Sequence, residues 1–130
     1  MKYAYTILYV EDVEKTIAFY KKAFGFQKKC ITPEADYGEL ISGETTIAFA
    51  SNNLGHSNFK KGFQKLSLSN IPTGVEMAFT TQTIETDFKK AIACGAVEYE
   101  PITQKPWGQK VGYLRDVNGF LIEICTPITN

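Results

Sequence analysis

The 130-residue chain has a single histidine, three cysteines and no net charge, and each shortage excludes a class of protein. The cysteines have neither C-x-x-C nor zinc-site spacing, which predicts buried free thiols in a reducing compartment (Cys30, Cys94 and Cys125). Fourteen basic and fourteen acidic residues cancel, so no overall electrostatic field favours nucleic acid or an anionic membrane. No apolar run is long enough to span a bilayer, and the N-terminus lacks a basic segment followed by an apolar one. We therefore predict a cytoplasmic protein with neither nucleic-acid nor membrane partners.

What the chain does contain is one pattern of strands and a helix that occurs twice in a single predicted domain, residues 1–130. In the first copy, residues 1–50, an aromatic and β-branched strand at 3–10 precedes a helix capped by Asp12 and ended by Gly25. Three further strands are predicted at 26–30, 37–41 and 45–50. The first copy is therefore a βαβββ module.

The second copy, residues 73–130, repeats this order. It has a strand at 75–81, a helix between Thr83 as N-cap and Gly95, a strand at 96–100, a loop at 101–106 and a closing hairpin of 110–114 and 120–125. Asn118-Gly119 forms the turn of that hairpin, because this dipeptide tolerates the positive φ that a tight turn needs. Residues 51–72, rich in Ser, Asn, Gly and Lys, are predicted to be a linker that could also serve as a mobile flap. The fold class is α+β with an internal duplication.

Superposing the two copies identifies equivalent strand positions. Tyr5 corresponds to Glu76, and Ala48 corresponds to Glu123. Since side chains alternate across a strand, 120, 122 and 124 face the helix, which leaves Glu123 on the opposite face. If a pseudo-twofold axis relates the modules, these four side chains converge inside one half-open barrel.

Glu123 is a carboxylate within an apolar run, where a charge is costly unless it is paired or faces water. One interpretation places Glu123 and Glu76 together in a cavity, where the two acids titrate as a unit. The alternative pairs Glu123 with Arg115 or a lysine and leaves Glu76 at an exposed strand end. The sequence leaves both interpretations open.

The chain resembles the vicinal oxygen chelate superfamily, which includes glyoxalase I, extradiol dioxygenases and the fosfomycin- and bleomycin-resistance proteins. The motifs that carry the resemblance are YTILYVEDV at 5–13, FYKKAFGF at 19–26, PWGQ at 106–109 and RDVNGFLIE at 115–123. The resemblance covers nearly the whole chain and implies paired βαβββ modules that form a half-open barrel around a cavity. It also implies a homodimer, since members of this superfamily often assemble in that way.

In metal-dependent members of this superfamily, four strand positions supply His and Glu ligands to one divalent ion. The resemblance places those positions at Tyr5, Ala48, Glu76 and Glu123, of which only Glu123 has the usual residue type. Two carboxylates and a phenol would bind Mg²⁺ or Mn²⁺ weakly and match Zn²⁺ poorly, because hard ions take oxygen ligands. His56 lies in the linker and is expected at the surface. We therefore predict no cofactor, with a weakly bound divalent metal as the alternative.

Aromatic side chains are predicted to line the same cavity, where flat rings can stack on a planar ligand (Tyr5, Tyr9, Tyr113 and Trp107). Tyrosines are also common in small β cores, so a purely structural role stays open. Phe59 and Phe63 could close a flap over a ligand or anchor the linker.

These residues are compatible with several functions, and the sequence does not decide whether the protein is an enzyme. The first hypothesis is a metal-free protein that binds a small organic molecule, with Ala48 among the lining residues. The second is a divalent-metal lyase, isomerase or dioxygenase of glyoxalase type. The third is a metal-free enzyme in which Glu76 or Glu123 is the catalytic base. A scaffold role is the least favoured, because inward carboxylates cost stability that a scaffold need not lose.

Overall fold

The computed structural model describes residues 1–128. By the contacts among its Cα atoms, the chain divides into two compact units, Met1–Lys65 and a second unit that begins at Leu66. Each unit contains a βαβββ sequence of elements, and the first also carries a short additional helix. The predicted α+β class and the duplication are therefore confirmed.

The first unit is a four-stranded sheet with one long helix. Its elements are β1 (Thr6–Val10), α1 (Val13–Phe24), β2 (Gln27–Ile31), β3 (Tyr37–Ser42), β4 (Thr45–Ser51) and α2 (Asn52–Asn58). The strand order is β1-β4-β3-β2, and β1 runs parallel to β4 while the other neighbours are antiparallel. The parallel pair is possible because α1, β2 and β3 intervene in the chain.

The second unit repeats this sheet. Its elements are β5 (Glu76–Thr80), α3 (Ile84–Ala93), β6 (Val97–Gln104), β7 (Lys110–Arg115) and β8 (Leu121–Cys125). The strand order is β5-β8-β7-β6, again with a parallel first pair. Ile7 lies opposite Ala48 in the first sheet, and Ala78 lies opposite Glu123 in the second. The predicted equivalences of Tyr5 with Glu76 and of Ala48 with Glu123 follow from this register.

The ends of α1 are set by local chemistry, as predicted. The carboxylate of Asp12 accepts a hydrogen bond from the backbone N–H of Lys15 at 3.0 Å, which satisfies a free donor of the first turn. Gly25 ends the helix with a φ of 74°, a conformation that glycine adopts without a Cβ clash. The apolar stripe of α1 is buried against the sheet, where Tyr20 meets Phe49 at a ring-centroid distance of 5.1 Å.

A glycine lies beneath each long helix at equivalent sheet positions. Gly38 on β3 faces Ile17 of α1, and Gly112 on β7 faces Phe88 of α3. A Cβ at position 112 would lie only 2.7 Å from the Phe88 ring, so no larger residue fits without displacing it. These glycines show which sheet face each helix covers.

β7 and β8 form the predicted antiparallel hairpin, with residues 116–120 as the connection. Oδ1 of the fully buried Asp116 accepts hydrogen bonds from the backbone N–H groups of Asn118 and Phe120, both at 2.8 Å. Gly119 has a φ of 92°, which the Asn-Gly signature anticipates. The side chain of Asp116 therefore takes the place of a backbone acceptor inside the turn.

The structure differs from the sequence-based prediction in three elements. Residues 52–58, predicted to be irregular, form α2. The predicted loop at 101–106 is wrong in its first part, because β6 continues through Pro101 to Gln104. Proline is tolerated there because β6 is an edge strand with irregular pairing. Thr83 precedes α3, but its side chain makes no capping hydrogen bond and instead donates to the Asp87 carboxylate at 2.9 Å.

In the described part of the chain, none of the helices combines the length and the apolar character required to cross a membrane.

Candidate functional site

The candidate site is the face of the second sheet opposite α3, here called the open face. Gly112 and its strand neighbours Leu114 and Ile122 lie on the helix side. Alternation then places Tyr113 and Glu123 on the open face, together with Glu76 two residues before Ala78. By the same alternation, the other open-face positions of β5, β7 and β8 are Ala78, Thr80, Val111, Arg115, Leu121 and Cys125.

Glu123 occupies the centre of this face. Its register partners are Ala78 on β5 and Tyr113 on β7, and the Tyr113 hydroxyl donates to Oε1 of Glu123 at 3.0 Å. Burial, and then the hydrogen bond to Glu123, raise the pKa of Tyr113 to about 12. The phenol therefore remains a hydrogen-bond donor to Glu123 over the physiological pH range.

Glu76 is the second carboxylate of the open face and lies at the start of β5, where it is exposed. Partial burial of its carboxyl group, followed by the negative charge of Glu123, raises the pKa of Glu76. The same neighbour acts on Cys125, whose thiol pKa is raised first by burial and then by Glu123. The charge of Glu123 thus acts on Glu76, which lies at an exposed strand end. That the two carboxylates line a cavity stays a prediction.

The alternative that paired Glu123 with Arg115 or a lysine is wrong. The buried Arg115 guanidinium donates to backbone carbonyls, at 2.8 and 3.1 Å to Gly119, 3.0 Å to Ser67 and 3.3 Å to Leu68. Within residues 1–128, the side-chain ion pairs are Lys29–Glu39 and Lys110–Glu85. Arg115 therefore fixes the backbone at 67–68 to the closing turn, and no basic side chain of the described chain pairs with Glu123.

The first sheet places a different set of groups on its equivalent face. Ala48 is fully buried between Ile7 and Glu39, so the carboxylate lies one strand further along than in the second unit. The Tyr37 hydroxyl donates to Glu39 at 2.7 Å, and the Lys29 ammonium lies 3.4 Å from the same carboxylate. The Tyr37 hydrogen bond and then Lys29 lower the pKa of Glu39, while burial and Glu39 raise that of Tyr37.

Tyr37 and Glu39 were not predicted as site residues, although the alternation of residues along β3 indicates that they share a sheet face. They alternate with the buried Gly38 and Leu40 along β3, as Glu123 alternates with Ile122 and Ile124 along β8. Tyr5, just before β1 and 42% exposed, contributes with its hydroxyl to the raised pKa of Tyr37. Tyr5 is therefore near Tyr37 in the first unit.

Tyr9 lies in an aromatic cluster that includes the two phenylalanines of the predicted linker. Its ring centroid is 5.5 Å from that of Phe59 and 5.2 Å from that of Phe63, and its hydroxyl accepts from the Asn58 amide at 3.3 Å. Gly55 of α2 packs against both Tyr9 and Phe63. Phe59 and Phe63 therefore anchor the chain after β4 to the first unit. The nearby His56 is exposed, as expected.

Trp107 lies in the connection between β6 and β7 and is 64% exposed. Its indole N–H donates to the Gln109 side chain at 2.9 Å, and Gln109 in turn donates to the Thr126 carbonyl at 2.8 Å. This chain of hydrogen bonds orients the ring at the surface. A ligand-stacking role for Trp107 stays a prediction.

The four positions that the superfamily uses for a metal ion do not supply a full set of donors here. Ala48 offers only a methyl group, and Tyr5, Glu76 and Glu123 would remain as a phenol and two carboxylates. Neither unit, over residues 1–128, arranges three or more His, Cys, Asp or Glu side chains so that they could hold a metal ion. The residues therefore do not fit the usual catalytic metal, which needs three or four protein ligands.

The first unit also has a surface cavity of about 460 Å³, and no predicted site residue is among those that line it. Residues of the β2–β3 connection, the end of β4 and α2 line it, among them Glu34, Asp36, Ser51 and Ser57. One carboxylate oxygen of Asp36 already accepts from the Thr32 hydroxyl at 2.7 Å. The cavity is thus separate from the groups on the sheet faces.

Paired βαβββ units define a class of small α+β proteins, and comparison with known proteins gives the family. Residues 3–129 match the Glyoxalase-like domain. The chain belongs to this family, as its sequence motifs predicted.

A curated relative is the uncharacterized protein YraH of Bacillus subtilis (strain 168), which is 27% identical over 129 residues, or 95% of this chain and 97% of that protein. Among solved structures, a glyoxalase-related enzyme from Fulvimarina pelagi has a TM-score of 0.80 and 18% identity, over 98% of this chain and 88% of that one. A glyoxalase/bleomycin resistance protein/dioxygenase family enzyme from Burkholderia phytofirmans PsJN has a TM-score of 0.78 and 18% identity, over 96% and 97% of the two chains. These structures support the fold.

Proposed function

We propose that this protein binds a small organic molecule carrying a basic or hydrogen-bond-donating group, and that it does so without the metal ion common in the superfamily. Glu123 and Glu76 receive that group at the open face of the second sheet. The observation that carries the proposal is the placement of two carboxylates on one sheet face, with Glu123 opposite Ala78 and Glu76 two residues before Ala78. Among residues 1–128, no basic side chain lies within ion-pair distance of either carboxylate.

Two neighbouring carboxylates on a partly desolvated face repel each other, and this repulsion is relieved when a cation binds between them. In the first unit the cation is built in, because Lys29 and Tyr37 satisfy Glu39. In the second unit the Tyr113 hydroxyl and the Cys125 thiol donate to Glu123, and neither group carries a positive charge. The exposed Ala78 and the half-buried Leu121 share the open face and would contact the organic part of a ligand.

The side chains at the superfamily's metal positions support binding without a metal ion. A methyl group at position 48 removes one ligand, and the carboxylate nearest to it, on Glu39, is already held by Lys29 and Tyr37. The resemblance to bleomycin-resistance proteins, in which the cavity sequesters a ligand, agrees with this interpretation.

A metal-free enzyme is the second candidate, and one observation favours it. The raised pKa of Glu76 moves this carboxyl group toward the range in which a general base is effective. Such an enzyme would keep its turnover in EDTA and lose it in the E76Q variant. The divalent-metal lyase, isomerase or dioxygenase is less favoured, because its ligand set is incomplete.

A thermal-shift screen of EDTA-treated protein against small organic cations tests the proposal. We include arylalkyl amines, guanidines and quaternary ammonium compounds, with carboxylate analogues of matched shape. Since a ligand that binds only the folded state stabilises it by mass action, about 2.7 kcal/mol is expected at a hundredfold excess over Kd. The cations should raise the melting temperature, and the matched anions should not.

Glu123→Gln is the test variant, because it removes the charge and retains the shape. Glu98→Gln is the matched control, since Glu98 is exposed and pairs in register with the helix-side Leu114. The stabilisation should disappear in E123Q and persist in E98Q. Stabilisation by cations that is equal in all three proteins, or by no compound at all, would contradict the proposal.

A cytoplasmic location and a homodimer complete the proposed function. Three free thiols, on Cys30, Cys94 and Cys125, support a reducing compartment. The resemblance to a frequently dimeric superfamily supports self-association. Light scattering after gel filtration should give twice the 14.5 kDa chain mass, and a monomer at micromolar concentration would contradict the dimer.

A further inference from the structure

We infer that Glu100 is a further binding residue of the open face and that the ligand is an elongated organic dication. Its first cationic group lies at Glu123, its middle lies over Tyr113, and its second cationic group lies at Glu100. The inference rests on the proposed function, because it names the class of ligand that the same site takes.

Strand register places the three residues in one row across the second sheet, here called the central row. Glu123 on β8 lies opposite Tyr113 on β7, and Tyr113 lies opposite Glu100 on β6. Because paired residues of antiparallel strands point to the same side of a sheet, Glu100 shares the open face with the other two. Neighbouring strands lie about 4.8 Å apart, so the backbone positions of Glu123 and Glu100 are separated by roughly 10 Å.

The central row is the accessible part of this face along β7. Val111 and Arg115, the open-face positions on either side of Tyr113, are only 3% and 7% exposed, while Tyr113 itself is half-buried. At the two ends of the row, Ala78 on β5 and Glu100 on β6 are exposed. An elongated ligand that contacts the Tyr113 ring therefore lies across the strands rather than along them.

The groups in the central row suit a ligand with two separate positive charges. The Tyr113 ring lies between the two carboxylates and offers a flat apolar surface to the chain that joins two cationic groups. Among residues 1–128, the side-chain ion pairs are Lys29–Glu39 and Lys110–Glu85, so Glu100 has no built-in cation. Each end of the Tyr113 surface therefore has a carboxylate that can receive a cationic group.

The equivalent row of the first sheet lacks this arrangement. Glu39 lies opposite Cys30, so a thiol stands where the second unit has the Glu100 carboxylate. Lys29 already supplies a positive charge to Glu39. The inferred dication site therefore belongs to the second unit.

The experiment is a calorimetric titration of EDTA-treated protein at low ionic strength with two amines of equal chain length. Heptylamine has one terminal amino group, and diaminoheptane has one at each end of the chain. The ratio of the two affinities isolates the contribution of the second cationic group. We expect diaminoheptane to bind more tightly in the wild type.

Glu100→Gln is the test variant, because it removes the charge and retains the shape. The ratio of affinities should fall roughly threefold in E100Q, which is the usual contribution of an exposed ion pair, while heptylamine binds as in the wild type. Glu98→Gln is the matched control, since Glu98 is an exposed glutamate of the same strand that pairs with the helix-side Leu114. Its ratio should equal that of the wild type.

A shorter diamine tests the spacing. The amino groups of diaminobutane are too close together to contact both carboxylates, so its affinity should be the same in the wild type and in E100Q. A loss in E100Q that is equal for diaminobutane and diaminoheptane would contradict the inferred position of the second cationic group.

Two further results would overturn the inference. One is an affinity ratio that is the same in the wild type and in E100Q, and the other is a ratio that falls equally in E100Q and E98Q. If heptylamine binds and either result is found, this inference fails while the proposed function stands. If neither amine binds, the proposed function fails and this inference fails with it.

Discussion

At the scale of single residues, the two units differ in the side chains that occupy equivalent positions of their sheets. The first has a buried alanine at position 48 and satisfies the neighbouring Glu39 with Lys29 and Tyr37. The second has a carboxylate at the equivalent position 123, with Tyr113 as its hydrogen-bond donor. A structural carboxylate thus has a cation beside it, while the candidate binding carboxylates do not.

The raised pKa of Glu76 leads to a prediction about stability and pH. A carboxyl group with a higher pKa in the folded state stabilises the fold at low pH, and this contribution is lost as pH rises through the folded-state value. Glu76→Gln, which cannot ionise, should therefore raise the melting temperature relative to wild type at pH 8 and raise it less at pH 4. Calorimetric scans at both pH values, with E98Q as the control, measure this difference. A gain in E76Q that is larger at pH 4 would contradict it.

Arg115 leads to a second prediction at this scale. Its buried guanidinium donates to the carbonyls of Ser67, Leu68 and Gly119, so its removal leaves acceptors without partners. Arg115→Ala should lower the free energy of unfolding by about 2–4 kcal/mol, the usual cost of breaking a buried charged hydrogen-bond network. Lys110→Ala, which breaks only the exposed pair with Glu85, should cost much less, because solvent screens an exposed ion pair. Urea unfolding measures both losses, and equal losses would contradict the assignment of Arg115.

At the scale of elements, α1 and α3 and the sheets could be predicted because their signals are local. Asp12, Gly25 and the apolar spacing of α1 follow from sequence, as does the Asn118-Gly119 turn. The helix α2 could not be predicted, since its sequence NNLGHSN has poor helix propensity and no long apolar stripe. The Ser51 hydroxyl caps α2 locally by accepting from the Leu54 N–H at 3.1 Å. Gly55 packs on Phe63 and on Tyr9, and the contact with Tyr9 joins distant parts of the sequence.

The first part of β6 was predicted, but its continuation from Pro101 to Gln104 could not be, for a related reason. Pro101 argues for a loop when only the sequence is considered, but an edge strand tolerates it because one side of the strand has no partner. Only the order of strands in the sheet reveals that β6 is an edge. No local feature of the sequence indicates that β6 lies at the edge of the sheet.

The close approach of each long helix to its sheet leads to a prediction at the scale of elements. Gly112→Ala should lower the free energy of unfolding by about 1–3 kcal/mol, because its Cβ would overlap the Phe88 ring and Ile102. Gly74→Ala is the matched control, since a Cβ there meets nothing within 4 Å, and its effect should stay within about 0.5 kcal/mol. Denaturant unfolding of both variants gives the comparison. A G112A protein as stable as wild type would show that α3 is not closely packed at this point.

At the scale of the whole molecule, the duplication is the feature that the sequence predicts best and the site is the feature it predicts only in part. The sequence predicts the repeated strands and helices and the equivalent positions within them. The Glyoxalase-like domain covers residues 3–129. Strand alternation predicts that Glu76 and Glu123 lie on one face of the sheet, and the charge of Glu123 contributes to the raised pKa of Glu76. The partners of each carboxylate were not, because Tyr113, Lys29 and Tyr37 are brought to them by strand register and side-chain rotamers rather than by spacing in the sequence.

The central claim is that Glu123 binds an organic cation without a metal ion. Isothermal titration calorimetry of EDTA-treated protein, with the most stabilising compound from the screen, tests it most directly. We predict one ligand per chain and an affinity that added Mg²⁺ or Mn²⁺ does not change. In E123Q the affinity should be at least tenfold weaker, which corresponds to about 1.4 kcal/mol, and in E98Q it should be unchanged. Binding that requires an added divalent metal, or equal affinity in wild type and E123Q, would contradict it.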